Sequence, residues 1–207
     1  MTRKADALRH FKRVDPHFYN ATRAHHSSLS IELKGLRTSA ALFASLCSIV
    51  ISQQLATKAA DSIRTRVKGV CKGSLTPEAI LRARETSLRS AGLSGAKIKT
   101  LKEIARAVQN KKINLLSLKK IPESEAAEKL MSIWGLGPWS VEMFMMFSVG
   151  REDMFSAGDL GLIRSIESIY GLPRNAPRTS LLFISEKWSP YRTYASMLLW
   201  RTRDAKK

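Results

Sequence analysis

The stretch "LMSIWGLGPWSVEMF", Leu130–Phe144, holds a helix end, a tight turn and a new helix start within a few residues. Gly135 and Gly137 stand one residue apart, and both can adopt positive φ and leave room for close approach. Pro138 is suited to the first position of the following helix. The first N–H groups of that helix then point out of the turn, where the helix dipole favours an anion. A glycine turn, bare amides and a helix start together make a small phosphate site. Taken alone, the turn reads equally as a helix–helix connection that binds nothing.

Outward from the turn, nearly every segment reads helical. Leu42, Phe43, Leu46, Ile49 and Val50 follow the spacing of a buried helix face. "TKAADSIRTRVKGV" starts at Thr57, a capping residue type, with Ala60, Ile63 and Val67 on one side. Thr76 followed by Pro77 is a cap and a first helical position. Ile98, Leu101, Ile104, Ala105 and Val108 line one face of an amphipathic segment, and Pro122 opens another with acids in its first turn. The run from Pro138 to Val149 is apolar all round and stops at Gly150, as a buried central helix would. "DLGLIRSIESIYG" and "PYRTYASMLLWRTR" complete the set. The expectation is an all-α protein of two helical subdomains, one spanning about 40–130 and the other the N-terminal segment plus 131–207.

Composition narrows the partner. The 207 residues carry 35 Lys+Arg against 17 Asp+Glu, a net charge of +18. The excess is spread along the chain, which points to a polyanion and best to nucleic acid. Hydrophobic residues make up 44%, enough for a packed core. The most apolar run, around Ala40 to Ile51, is too short to span a bilayer, and the N-terminus lacks a signal core. Neither a membrane nor secretion is expected. Cys47 and Cys71 are too few for a disulfide scaffold, a four-cysteine zinc site or an iron–sulfur cluster, and read as core residues.

"LMSIWGLGPWSVEMF" followed by "FSAGDLGLIRSI" resembles the helix-hairpin-helix (HhH-GPD) DNA glycosylases, with their downstream loop and aspartate. "IVISQQLATKAADSI" is similar to that family's duplex-probing element, and "AGLSGAKIKTLKEIA" to its second DNA-facing loop. "KWSPYRTYASMLLWR" resembles the C-terminal helix of the alkylpurine branch, the 3-methyladenine DNA glycosylase II group. The likeness runs in one order from about Asp6 to Arg203, and it is to the short forms that lack an extra N-terminal domain.

The resemblance implies base excision, in which an aspartate beside the sugar stabilises an oxocarbenium-like cation. Asp159 falls at that position; its ordinary role would be a helix N-cap, and the two are compatible. Relatives that also cut the backbone use a hairpin lysine just past the second glycine, where this chain has Pro138 and Trp139, so a monofunctional enzyme is implied. A flipped base leaves a gap filled by a minor-groove wedge, here Gln54 with Gln53 and Leu55. Without the resemblance, two glutamines read as a polar helix break. Trp139, Met143 and Trp200 are the implied base pocket, where an aromatic face attracts a cationic base, although Trp200 on "MLLW" also reads as core. Phosphate contacts are assigned to Gly135, Leu136, Gly137, Trp139 and Ser140 of the hairpin, and to Ser94, Gly95, Ala96 and Lys97. Between Ser94 and Lys112 six basic residues face one acid, Glu103, which is also the pattern of a solvated helix face. No cofactor is required, though the family implies a Na⁺ or K⁺ on the backbone carbonyls of Met131, Ile133 and Gly135.

Several residues depart from the family pattern. Ser156 and Gly158 stand where relatives carry a second acid, and Gly158 is expected to loosen the loop that aims Asp159. Ala56 is small behind the wedge, Glu142 is acidic where relatives are often basic, and Met143 is not aromatic. These changes sustain a second reading, a non-enzymatic binder of damaged or abasic DNA with weak or lost excision. Either way the expected partner is double-stranded DNA with alkylated bases or abasic sites, bound by a monomer. The expected compartment is nuclear in a eukaryote and cytoplasmic in a bacterium.

Overall fold

The structure, a computed structural model, describes residues 3–29 and 35–205. Its helices in chain order are α1 Arg3–Val14, α2 Pro16–Ala21, α3 Ser39–Ser52, α4 Thr57–Val70, α5 Pro77–Arg82 and α6 Glu85–Ser90. They continue as α7 Gly95–Gln109, α8 Glu123–Met131, α9 Pro138–Phe144, α10 Leu160–Tyr170, α11 Arg178–Glu186 and α12 Arg192–Asp204. No strand occurs among the described residues. The all-α expectation holds.

Local chemistry explains the boundaries. The side chains of Thr38, Thr76 and Ser94 cap α3, α5 and α7 by accepting from Ala41, Ala79 and Lys97 N–H. Pro77 and Pro138 occupy helix starts. Thr57 is not a cap: Ala56 is the N-cap residue, without a side-chain bond, and Thr57 is already helical. After α9 the chain runs on as a π-helical turn, Met145–Val149, and stops at Gly150 with φ 86°.

The chain divides into two compact units. One comprises residues 35–150, the other 1–34 with 151–207. The boundary therefore falls at Gly150 and not near 130, and the hairpin belongs to the unit that starts at Gly35. The reason is packing: α9 and its π-turn lie against α3. At the ends of this unit Leu36 N–H donates to Ser148 O at 2.7 Å, and a side chain at Gly35 would strike the Val149 carbonyl. Its core is built on Leu42, Phe43, Leu46, Cys47, Val50 and Ile51 of α3, with Ile98, Leu101, Ile104 and Ala105 of α7. Cys47 and Cys71 are buried free thiols, both pushed up by desolvation, which suits the inert core role.

The other unit packs Phe11, Phe18, Leu162, Ile166, Leu181, Trp188, Tyr194 and Leu198 into one cluster. At its centre sits a buried acid. Asp15 Oδ1 caps α2 through Phe18 N–H at 3.0 Å, and Oδ2 accepts from Tyr170 OH at 2.5 Å and Trp188 Nε1 at 3.2 Å. Burial, then the Asp15 bond, raises the Tyr170 phenol above its ordinary range, so the hydroxyl remains a donor. Tyr170→Phe removes a bond to a buried carboxylate and is expected to lower stability by about 1.5–3 kcal/mol. Urea unfolding of the two proteins measures this; an unchanged midpoint would show that the bond contributes nothing.

Candidate nucleic-acid interface and active site

The two hairpin glycines differ. Gly135 has φ 86°, and a Cβ there would land on the Thr100 hydroxyl of α7, so this position is glycine for the fold's sake. Gly137 does not share the positive φ expected of it: φ −89° and ψ 172° are open to any residue, and an added Cβ would meet nothing within 4 Å. The chain itself gives no reason for glycine at 137. Clearance for something outside the chain is a reason.

The assigned phosphate ligands sort accordingly. Gly137 is exposed and its amide precedes Pro138 at the start of α9. Leu136 is buried and its N–H is spent on Ile133 O at 3.1 Å, so its amide is not presented to a ligand. Ser140 is buried as well; its Oγ accepts from Gln53 Nε2 at 2.7 Å. Trp139 is half-buried and Met143 buried. Of the second loop, Ser94 uses its hydroxyl as the α7 cap, while Gly95 and Ala96 occupy the first turn, where amides have no intrahelical partner. Lys97 is not directed to an outside phosphate. Its Nζ donates to Ile51 O and Gln53 O, both at 2.8 Å, closing the C-terminal end of α3.

Of the wedge residues, Gln54 sits exposed at the loop tip with φ 56°, and Leu55 beside it is 38% exposed. A bulky side chain held left-handed is strained backbone that its surroundings must maintain. Gln53 is no part of that projection, since its amide is turned inward to Ser140.

Asp159 and Trp200 lie together in the other unit. Asp159 Oδ1 accepts from Leu162 N–H at 3.0 Å, capping α10, and from Trp200 Nε1 at 2.9 Å. The N–H of Asp159 donates to Ser156 O at 3.1 Å, and Ser156 is buried. The residue after Gly158 is thus tied by its own N–H, and its carboxylate is oriented through Oδ1 by the cap and the indole. Gly161 makes room for this. A Cβ there would stand 2.9 Å from both Asp159 Oδ1 and Trp200 Cδ1, and would meet the Arg203 guanidinium. Trp200 is half-buried, with its N–H committed to Asp159.

The structure adds residues that the sequence reading missed. Trp134 is 47% exposed with Lys99 Nζ 4.1 Å over its ring. Arg89 places its guanidinium beside Gly95, 2.9 Å from where a Cβ would stand. The bonds by which Gln53, Lys97 and Ser140 join separate segments carry no local signal, because their partners are distant in sequence.

The carbonyls named for a cation lie at the end of α8 and in its turn. They are oxygen donors at the negative end of a helix dipole, which suits a monovalent cation. Ile133 O already accepts from Leu136 N–H, and a carbonyl retains a second lone pair. No cluster of three or more His, Cys, Asp or Glu able to hold a metal occurs among the described residues, nor any helix long and apolar enough to cross a membrane.

The chain as a whole is similar to known proteins. The model of the HhH-GPD superfamily of base excision DNA repair proteins matches residues 47–190. DNA-3-methyladenine glycosylase 1 of Schizosaccharomyces pombe is 35% identical over 156 residues, covering 74% of this chain and 68% of that protein. A solved structure of S. pombe 3-methyladenine DNA glycosylase (Mag1) in complex with abasic DNA superposes with a TM-score of 0.81. It is 30% identical, covering 96% of this chain and 97% of that one. A DNA-3-methyladenine glycosidase from Bacillus halodurans gives a TM-score of 0.77 at 32% identity, covering 96% and 91%.

Proposed function

The chain belongs to the HhH-GPD superfamily of base excision DNA repair proteins, and on that premise we propose a monofunctional glycosylase that removes alkylated purines from duplex DNA. The observation that carries the reading is the fixed carboxylate of Asp159, held by Leu162 N–H and Trp200 Nε1. Water attacks C1′ of the damaged nucleotide, and the C1′–N bond breaks with its electron pair going to the base. A base made cationic by alkylation leaves neutral and needs little acid assistance. The Asp159 carboxylate stabilises the positive charge on the sugar and takes up the proton of the attacking water, later passed to solvent. The relatives, named as 3-methyladenine DNA glycosylases or glycosidases, support the lesion class. Pro138 and Trp139 after Gly137 support hydrolysis without strand cleavage, since no lysine stands there to form a Schiff base.

Binding follows from the rest. Gly137 with the start of α9, and Gly95 and Ala96 at the start of α7, present amides to phosphates. A Na⁺ or K⁺ on the carbonyls of Met131, Ile133 and Gly135 would add positive charge at the hairpin. Gln54 and Leu55 form the wedge. Trp200, beside Asp159 in the same unit, offers a face to the cationic base. The net charge of +18 makes affinity fall steeply with salt.

The test is base release from methylated duplex DNA with protein in excess. Free 3-methyladenine or 7-methylguanine should appear, leaving strands that break only after alkali. Breakage without alkali would reject monofunctionality. No released base, with tight binding to an abasic duplex, would replace this reading with that of a non-enzymatic damage binder.

A further inference from the structure

Three segments of the 35–150 unit assigned to DNA are distant in sequence: the wedge loop, the start of α7 and the hairpin. Side chains tie them together. From α7, Lys97 Nζ holds the carbonyls of Ile51 and Gln53, both at 2.8 Å, on one side of the wedge loop. From the same loop, Gln53 Nε2 reaches the buried Ser140 Oγ of α9 at 2.7 Å. Thr100, three residues past Lys97, fills the space that a side chain at Gly135 would need. Its hydroxyl is itself anchored to Ala96 O at 2.9 Å. Burial lowers the Lys97 ammonium below its ordinary range, as expected for a lysine turned into the protein and away from solvent.

Gln54 follows Gln53 directly, exposed and left-handed. A wedge that parts stacked bases works against the stack. It can do so only if its own base is fixed relative to the part of the protein that grips the strand. A loop joined to the rest by backbone alone would bend instead. The geometry points to Gln53 and Lys97 as positioning residues that couple the hairpin's hold on the phosphates to insertion of Gln54. Neither touches the reacting atoms; each acts through the wedge. The inference rests on the reading of Gln54 as that wedge and needs no excision activity for its test.

The experiment compares the full chain with Gln53→Ala, Ser140→Ala, the double variant and Lys97→Met. Each is bound to an intact duplex, and to an abasic-analogue duplex with 2-aminopurine next to the gap. Loss of the brace should lower the abasic-to-intact affinity ratio by about tenfold and reduce the 2-aminopurine signal. Affinity for intact duplex should stay within about twofold, since the phosphate grip is untouched. The double variant should be no worse than either single one, because both remove the same bond. Lys97→Met tests the same coupling from the other side, should the Gln53 or Ser140 variants fail to fold. An unchanged ratio in the folded variants overturns the proposal. So does an equal loss on both duplexes, which is what a purely structural bond would produce. A failure of base release in the parent chain would count against the glycosylase reading and leave this comparison intact.

Discussion

Asp159→Asn is expected to lower the single-turnover rate of base release by about 10²–10³-fold while leaving affinity for an abasic duplex within about twofold. The asparagine carbonyl replaces Oδ1 and can still accept from Leu162 N–H and Trp200 Nε1, bonds that orient the aspartate. The cap and the indole contact are therefore kept, while the negative charge is lost and Oδ2 becomes an amide donor. That charge matters in the transition state, when the sugar becomes cationic, and hardly at all in binding. Asp159→Ala is a poorer test. It also removes the α10 cap, worth about 1 kcal/mol, and leaves the Trp200 indole without its acceptor. Full activity in the asparagine variant would remove Asp159 from its role.

The elements of this chain were legible where the signal is local. Thr76–Pro77 and Asp159 announce helix starts by residue type alone, and the apolar spacing of α3 and α7 identifies buried faces. Legibility ended where geometry depends on residues far along the chain. Gly135 and Gly137 look alike in sequence, yet only contact with Thr100, 35 residues earlier, separates a packing glycine from an open one. Lys97 reads as a phosphate contact on a basic helix, yet its Nζ is turned to the carbonyls of Ile51 and Gln53 at the end of α3, which need a donor. Gly158 reads as a flexible link and is held by its neighbours, since Asp159 N–H reaches Ser156 O. Trp134 carries no local sign of its place and is exposed, because the turn carries it outward from the buried Ile133 and Leu136.

The same substitution at the two hairpin glycines should produce opposite phenotypes. At Gly135, alanine must hold φ 86°, which costs an L-residue about 1–2 kcal/mol. Its methyl also falls on Thr100, and the forced shift of packed neighbours costs about 1–3 kcal/mol more. Gly135→Ala should therefore lose about 2–5 kcal/mol of stability, read by urea unfolding, and bind duplexes less well because the turn is deformed. Thr100→Ala in that background should restore part of the loss and not all of it, since the Thr100 Cβ itself lies 2.9 Å from the new methyl. At Gly137, φ −89° suits alanine and no atom of the protein stands within 4 Å. Gly137→Ala should leave stability unchanged or raise it by about 0.4–1 kcal/mol through a less flexible unfolded chain. It should nonetheless weaken binding to intact and abasic duplexes alike, because the methyl occupies the approach of a phosphate to the amide. If Gly137→Ala bound DNA as tightly as the parent chain, the clearance at Gly137 would serve nothing, and the phosphate site at the hairpin would have to be withdrawn.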